Sequence, residues 1–252
     1  MSWAARRRRG AVFLRLIALT GAGLVAIAWT GLAGGQEGYR ETTVTNGAAI
    51  SGEAAYVGSP PGPFVIWVKK NADVFGEKLP DERILVSRTG KIKNVLVTLE
   101  GIKEGKPWPS HRAQLLNKGG LFVPHLQAVR TGAQMEVINQ DPLLHNTHAY
   151  VDGKTLFNLA QPNKDQVIRR PLRRSGLVDL MCDSHDWMNA WIVILDHPYF
   201  AITGEDGAYA IGDIPPGTYT LTAWHEKLGR QQHQATVKAA EQKKVTVTFP
   251  AK

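Results

Sequence analysis

The lone cysteine of this chain, Cys182, closes an alternating run and opens a short segment rich in donor atoms, Cys182-Asp-Ser-His185-Asp-Trp-Met188. In Leu177-Val-Asp-Leu-Met-Cys182 the side chains of Val178, Leu180 and Cys182 share one strand face, while Asp179 points the other way. The thiol therefore arrives from the core side. Trp191-Ile-Val-Ile-Leu195 resumes as a strand, so a tight loop between two strands aims a thiol, an imidazole and a thioether at one place.

A further imidazole lies upstream, in Asp141-Pro-Leu-Leu-His-Asn-Thr-His148, just after the strand-like run Ala133-Gln-Met-Glu-Val-Ile-Asn139. If two loops at one end of a sandwich converge, His145, Cys182, His185 and Met188 surround one ion. Two imidazoles, one thiolate and a weak thioether mix borderline and soft donors, which suits an ion alternating between Cu(I) and Cu(II). Zinc has no need of the thioether, and its structural sites are usually richer in cysteine. The expected cofactor is one copper ion. Four protein donors leave no open coordination position, whereas catalytic metal sites keep one, so the expectation is electron transfer and no enzymatic activity.

Leu121-Phe-Val-Pro124, Val129 to Asp141, His145-Asn-Thr-His148 and the Cys-x2-His-x2-Met loop together resemble the cupredoxin family, most of all its amicyanin-like members. The resemblance covers roughly residues 92 to 196. It implies that His145 is the first ligand and that Cys182, His185 and Met188 complete the set. It also implies that Asn146 ties the two loops together by hydrogen bonds. In such proteins the second loop histidine, here His185, reaches the surface within an apolar patch and passes electrons; Pro142, Leu143, Leu144 and Trp187 would form that patch. The implied partner is a redox protein such as a cytochrome or dehydrogenase. His148 is expected nearby or at the surface, and His111, His125, His197 and His233, which have no partner pattern, as structural or solvent-facing.

Other readings of the same donors stay open. They could carry Cu(I) to another protein. Copper could be structural in a non-redox adhesion or assembly module. An oxidase or reductase with several copper ions would need His-x-His pairs, which the remaining histidines do not form.

The formal charge of +8 is concentrated at the start of the chain. Residues 1–35 carry Arg6, Arg7, Arg8, Arg9 and Arg15 and no acid, leaving 25 basic and 22 acidic residues elsewhere. No basic stripe interleaved with aromatics follows, which excludes a nucleic-acid surface. Arg6 to Arg9, the uncharged run Leu16 to Gly35 and its small-residue end Ala33-Gly-Gly35 read as an export signal. Uncleaved, the run would serve as a membrane anchor. A periplasmic or otherwise extracytoplasmic body follows, where copper would protect an unpaired thiol from oxidation.

The expected fold is all-β: a leader helix over 1–35, a β segment over 36–91, a cupredoxin Greek-key sandwich over 92–196 and a second small β-sandwich over 197–252. Ala48 to Val57 and Phe64 to Val68 read as strands around the turn Ser59-Pro-Pro-Gly-Pro63, and Ile92 to Leu99 as the strand that opens the metal sandwich. Gly101 to Gly120 reads as loop, with at most one short helix around Arg112 to Asn117. Asp206-Gly-x-Tyr, Pro215-Pro-Gly-Thr-Tyr and Leu221-x-Ala-Trp resemble the carboxypeptidase regulatory-like (transthyretin-like) sandwich. Its missing first strand could come from 48–57 or 64–68, making the metal sandwich an insertion. Trp224-His-Glu226 reads as a packing tryptophan with solvent-facing polar neighbours, and Arg169-Arg170 with Arg173-Arg174 as a solvated turn or a docking patch for an acidic partner.

Overall fold

A computed structural model describes residues 38–110 and 112–251; the leader and His111 lie outside the described residues. Glu37–Lys252 is one compact unit. Its regular structure is almost wholly strand, and among the described residues no helix is long and apolar enough to cross a membrane.

Two sandwiches make up this unit. In the first, a four-stranded sheet runs Val167–Pro171, Gln134–Asn139, Gln114–Lys118, Leu121–Val123. A five-stranded sheet runs Lys154–Gln161, His145–Val151, Gly176–Met181, Asn189–Leu195, Leu126–Arg130. Alternation fixes which side chains meet between them. Leu115, Met135, Val137, Val178, Leu180, Ile192 and the Cys182–Met188 end of the ligand loop share one core. The stretch expected as a short helix is the strand Gln114–Lys118, in which Leu115 and Asn117 are buried and their neighbours are not. Its period is two, so the core wins over any local helical preference.

The second sandwich faces the sheet Phe200–Ile202, Leu96–Glu100, Gly217–His225, Gly229–Val237 against Ala208–Ile214, Ala48–Val57 and the closing segments Gln242–Lys244 and Val247–Pro250. Ala48–Val57 pairs antiparallel with Ala208–Ile214. Leu96–Glu100, expected to open the metal sandwich, pairs instead with Phe200–Ile202 and Gly217–His225. Its alternation reports one buried face and is silent about which sheet buries it.

A third apolar cluster joins the two sandwiches: Leu96, Leu126, Ala128 and Val193 are buried there, and Trp191 meets Trp224 edge-on at 5.1 Å. His225 and Glu226 are not solvent-facing. His225 is buried and accepts from the backbone N–H of Lys227, and Glu226 bonds the buried His125 across the seam. The stretch that follows Ala48–Val57 also reaches the first sandwich. Val65–Trp67 and Lys78–Pro80 form a small antiparallel ribbon, and the single helical turn Ala72–Phe75 between them buries Phe75.

Candidate metal centre

Three loops converge at one end of the first sandwich. Asp141 anchors two of them, its carboxylate accepting from the N–H groups of Gly119 at 2.6 Å and Gly120 at 3.0 Å. The same carboxylate lies 3.0 Å from His145 Nε2. Trp187 then pins the ligand loop to that turn by donating Nε1–H to the Gly120 carbonyl. Within the ligand loop, Cys182 N–H donates to Met188 O and Met188 N–H to His185 O, which closes the hairpin.

One donor atom from each of His145, Cys182 and His185 lies within 4.8 Å of the others, and all three residues are buried. Cys182 Sγ is 3.9 Å from His145 Nδ1 and 3.8 Å from His185 Nδ1. Donors at such separations suit bonds of about 2.0–2.3 Å to one shared ion. Both rings turn Nδ1 toward the sulfur because each Nε2 is occupied: His145 by Asp141, and His185 by Asn71 Oδ1 at 3.2 Å. An acceptor on Nε2 leaves the Nδ1 lone pair free for a metal, the usual arrangement behind a histidine ligand. Met188 is fully buried in the same core as Cys182. The donor chemistry therefore fits copper.

Asn146 links the two loops. Its backbone N–H points at Cys182 Sγ at 3.5 Å, and its side-chain oxygen accepts from the N–H groups of Asp183 at 2.7 Å and Ser184 at 3.3 Å. Its Nδ2 donates to Asp183 and Asn158.

Electrostatics prepares the metal-binding forms of Cys182 and His185. Burial alone would raise the Cys182 pKa, but the bond to His145 and the backbone N–H groups of Asn146, Ser184 and His185 outweigh it and favour the thiolate. Burial, helped by nearby His145, depresses His185 to about 4, which keeps it neutral. Burial opposes charge on His145 as well, yet Asp141 and Cys182 together raise its pKa.

The structure departs from expectation at the edge of the site. His185 does not reach the surface: it is 2% exposed, covered by Asn71 and by Phe75, whose ring centroid lies 5.4 Å from it. Leu144 is exposed, but the imidazole is not among the exposed groups. Sequence reasoning missed Asn71, Phe75 and Asp141; only Asp141, four residues before His145, carried a local signal. His148 lies beside the loop, bonded to Asp183, Thr155 and Tyr150. Of the arginine cluster, Arg169 pairs with Glu136, while Arg170, Arg173 and Arg174 border a cavity of about 370 Å³ floored by Val151, Phe157 and Val178.

The fold and site define an all-β chain with a cysteine-centred, histidine-rich donor cluster. Among solved structures it is similar to a purple cupredoxin from Nitrosopumilus maritimus, at 22% identity over 33% of this chain and 99% of that one, with a TM-score of 0.30. It is also similar to amicyanin from Paracoccus versutus, at 15% identity over 39% of this chain and 97% of that one, with a TM-score of 0.31. A copper-containing nitrite reductase from Thermus scotoductus matches at 17% identity and a TM-score of 0.30, over 36% of this chain and only 24% of the reductase. A family model described as polysaccharide lyase family 4, domain II, matches residues 172–247, a range that overlaps the 197–252 stretch expected as a carboxypeptidase regulatory-like sandwich. No curated protein matches.

Proposed function

We propose that this chain is an exported, mononuclear copper protein that passes single electrons between redox partners, with His145, Cys182, His185 and Met188 as ligands. The observation that carries the reading is the convergence of two outward-anchored imidazoles on one buried sulfur, at 3.8 and 3.9 Å. When bound, copper supplies a one-electron Cu(I)/Cu(II) couple.

The protein's own part is to hold the donors still. Asp141 and Asn71 fix the ring orientations, Asn146 ties the cysteine loop to the histidine loop, and burial keeps water from the donors. Little rearrangement then accompanies gain or loss of an electron, and the N–H of Asn146 favours negative charge on the sulfur. Arg6 to Arg9 and the uncharged run after them support export to the periplasm or another extracytoplasmic space, with membrane contact only through an uncleaved leader. A cytochrome or dehydrogenase is the proposed kind of partner.

The test is a titration of the compact Glu37–Lys252 body with Cu(II), followed by visible absorption and electron paramagnetic resonance, beside Cys182→Ser. An intense visible band with narrow copper hyperfine splitting at one equivalent, absent from the variant, is expected. Weak or no copper uptake would remove the electron-transfer reading.

A further inference from the structure

The segment between Phe64 and Pro80 follows Ala48–Val57 of the second sandwich in sequence and precedes every strand of the first, yet it lies against the donor cluster. Four contacts hold it there. Asn71 Oδ1 is 3.2 Å from His185 Nε2. Phe75 packs against His145, His185 and Trp187, with ring centroids at 6.0, 5.4 and 6.5 Å. Phe75 and Leu79 sit over Gly120, whose φ of 73° itself favours glycine and where a Cβ would approach them at 3.0 and 3.2 Å, so the segment closes tightly on this turn. At the rim Lys69 pairs with Asp186, the residue after His185.

The backbone is shaped for the same contact. Asn71 holds a left-handed conformation, φ 59° and ψ 39°, immediately before the helical turn Ala72–Phe75. Asparagine tolerates that conformation better than most residues, and its short amide is thereby directed at the imidazole. Asn71 makes no side-chain cap bond to the turn it precedes. Its amide oxygen is thus committed to His185 rather than to local structure.

We infer that Phe64–Pro80 is a built-in cap that seals the imidazole edge of the donor cluster, with Asn71 as the positioning residue for His185 and Phe75 as the seal. Resting on the copper reading, the cap also names the cargo of the site. A bound ion and small solvent-borne ligands exchange slowly across this edge, while an electron crosses it without any atom moving. Carriage of copper to another protein requires the cap to open first.

The cap itself is testable without metal. The metal-free full chain is treated with diethylpyrocarbonate, and the ethoxycarbonyl adduct on each histidine is followed by peptide mass spectrometry. The comparison is wild type against Asn71→Gly, which keeps the left-handed backbone but loses the acceptor, against Phe75→Ala and against Asn71→Asp, which keeps an acceptor oxygen. We expect His185 to react about tenfold faster or more in the first two variants, with Asn71→Asp close to wild type and His148 unchanged in all. Equal His185 rates in wild type and Asn71→Gly would overturn the cap, even if Phe75→Ala does not fold. In copper-loaded protein Phe75→Ala should keep one equivalent and the visible band, yet lose copper to a chelator about tenfold faster. Unchanged release rates would overturn the sealing role. A wild type that takes up no copper would instead defeat the copper reading, with the adduct rates still deciding the cap.

Discussion

The backbone N–H of Asn146 points at the sulfur of Cys182 from 3.5 Å, while the oxygen of the same residue's side chain gathers two N–H groups of the cysteine loop. One residue thus touches the donor and braces the loop that presents it. Asn146→Ala keeps the backbone contact and removes the brace. We expect copper affinity to fall about 10- to 100-fold, as calorimetric titration would show. Thermal unfolding of the metal-free chain should reveal a loss of about 1–3 kcal/mol from the unsatisfied N–H groups. Unchanged affinity would reduce Asn146 to a loop residue.

Met188 is buried beside Cys182 in the core and carries the softest donor of the group. Met188→Leu conserves volume and removes the thioether, so copper should still bind at one equivalent. Its reduction potential should move by about 59 mV or more, a tenfold change in a one-electron equilibrium. Voltammetry on both proteins decides; an unmoved potential removes Met188 from the donor set.

The second sandwich has its own tight point. A Cβ on Gly52 would lie 1.8 Å from the carbonyl oxygen of Val245, which is backbone and cannot swing aside. Gly52→Ala should therefore cost about 3 kcal/mol or more, and lower Tm by about 6 °C or more. The metal loops are far along the chain from this contact, and the visible spectrum of copper-loaded, folded Gly52→Ala should match wild type.

Tyr209 donates its hydroxyl to that same Val245 carbonyl at 2.6 Å, and burial raises its pKa to about 12. In the unfolded chain the phenol ionises near 10. Its contribution is therefore fully present below about pH 10 and is lost as pH rises toward 12, because only the unfolded state releases the proton in that window. Tyr209→Phe should cost about 1 kcal/mol at neutral pH, and its stability gap to wild type should shrink between pH 10 and 12 in urea titrations. A gap that widened would contradict the buried, neutral phenol.

What the sequence disclosed was what is local. Cys182, His185 and Met188 lie within one short loop after an alternating strand, so their convergence follows from strand geometry. Asn71 and His185 are 114 positions apart, and no periodicity in either stretch refers to the other. The same holds for Glu226 and His125, 101 positions apart, whose pairing decides which way the Trp224-His-Glu226 end faces. Leu96–Glu100 was legible as a strand but not as a member of the second sandwich, because a buried face specifies a core and not its owner. Gln114–Lys118 was hidden for a different reason: Gln, Asn and Lys are weak strand formers, and only Leu115 and Leu116 spoke for a sheet.

The antiparallel pairing of Thr98 with Phe200 has a consequence for how this protein can be rebuilt. Viewed from the second sandwich, the whole intervening stretch is a hairpin loop whose two stems stand one strand spacing apart, about 4.8 Å. Such closely spaced attachment points are where modules are spliced in and out of proteins. The first sandwich is laid out as a cassette, and a turn that keeps Leu99, Glu100, Ile102 and Tyr199, which pack or pair with the host, should leave the host with both sheets complete. The lid, however, stays with the host, since residues 64–80 precede the first stem. A transplanted cassette would travel with its imidazole edge uncovered, because the donor cluster and the segment that covers it come from different parts of one chain.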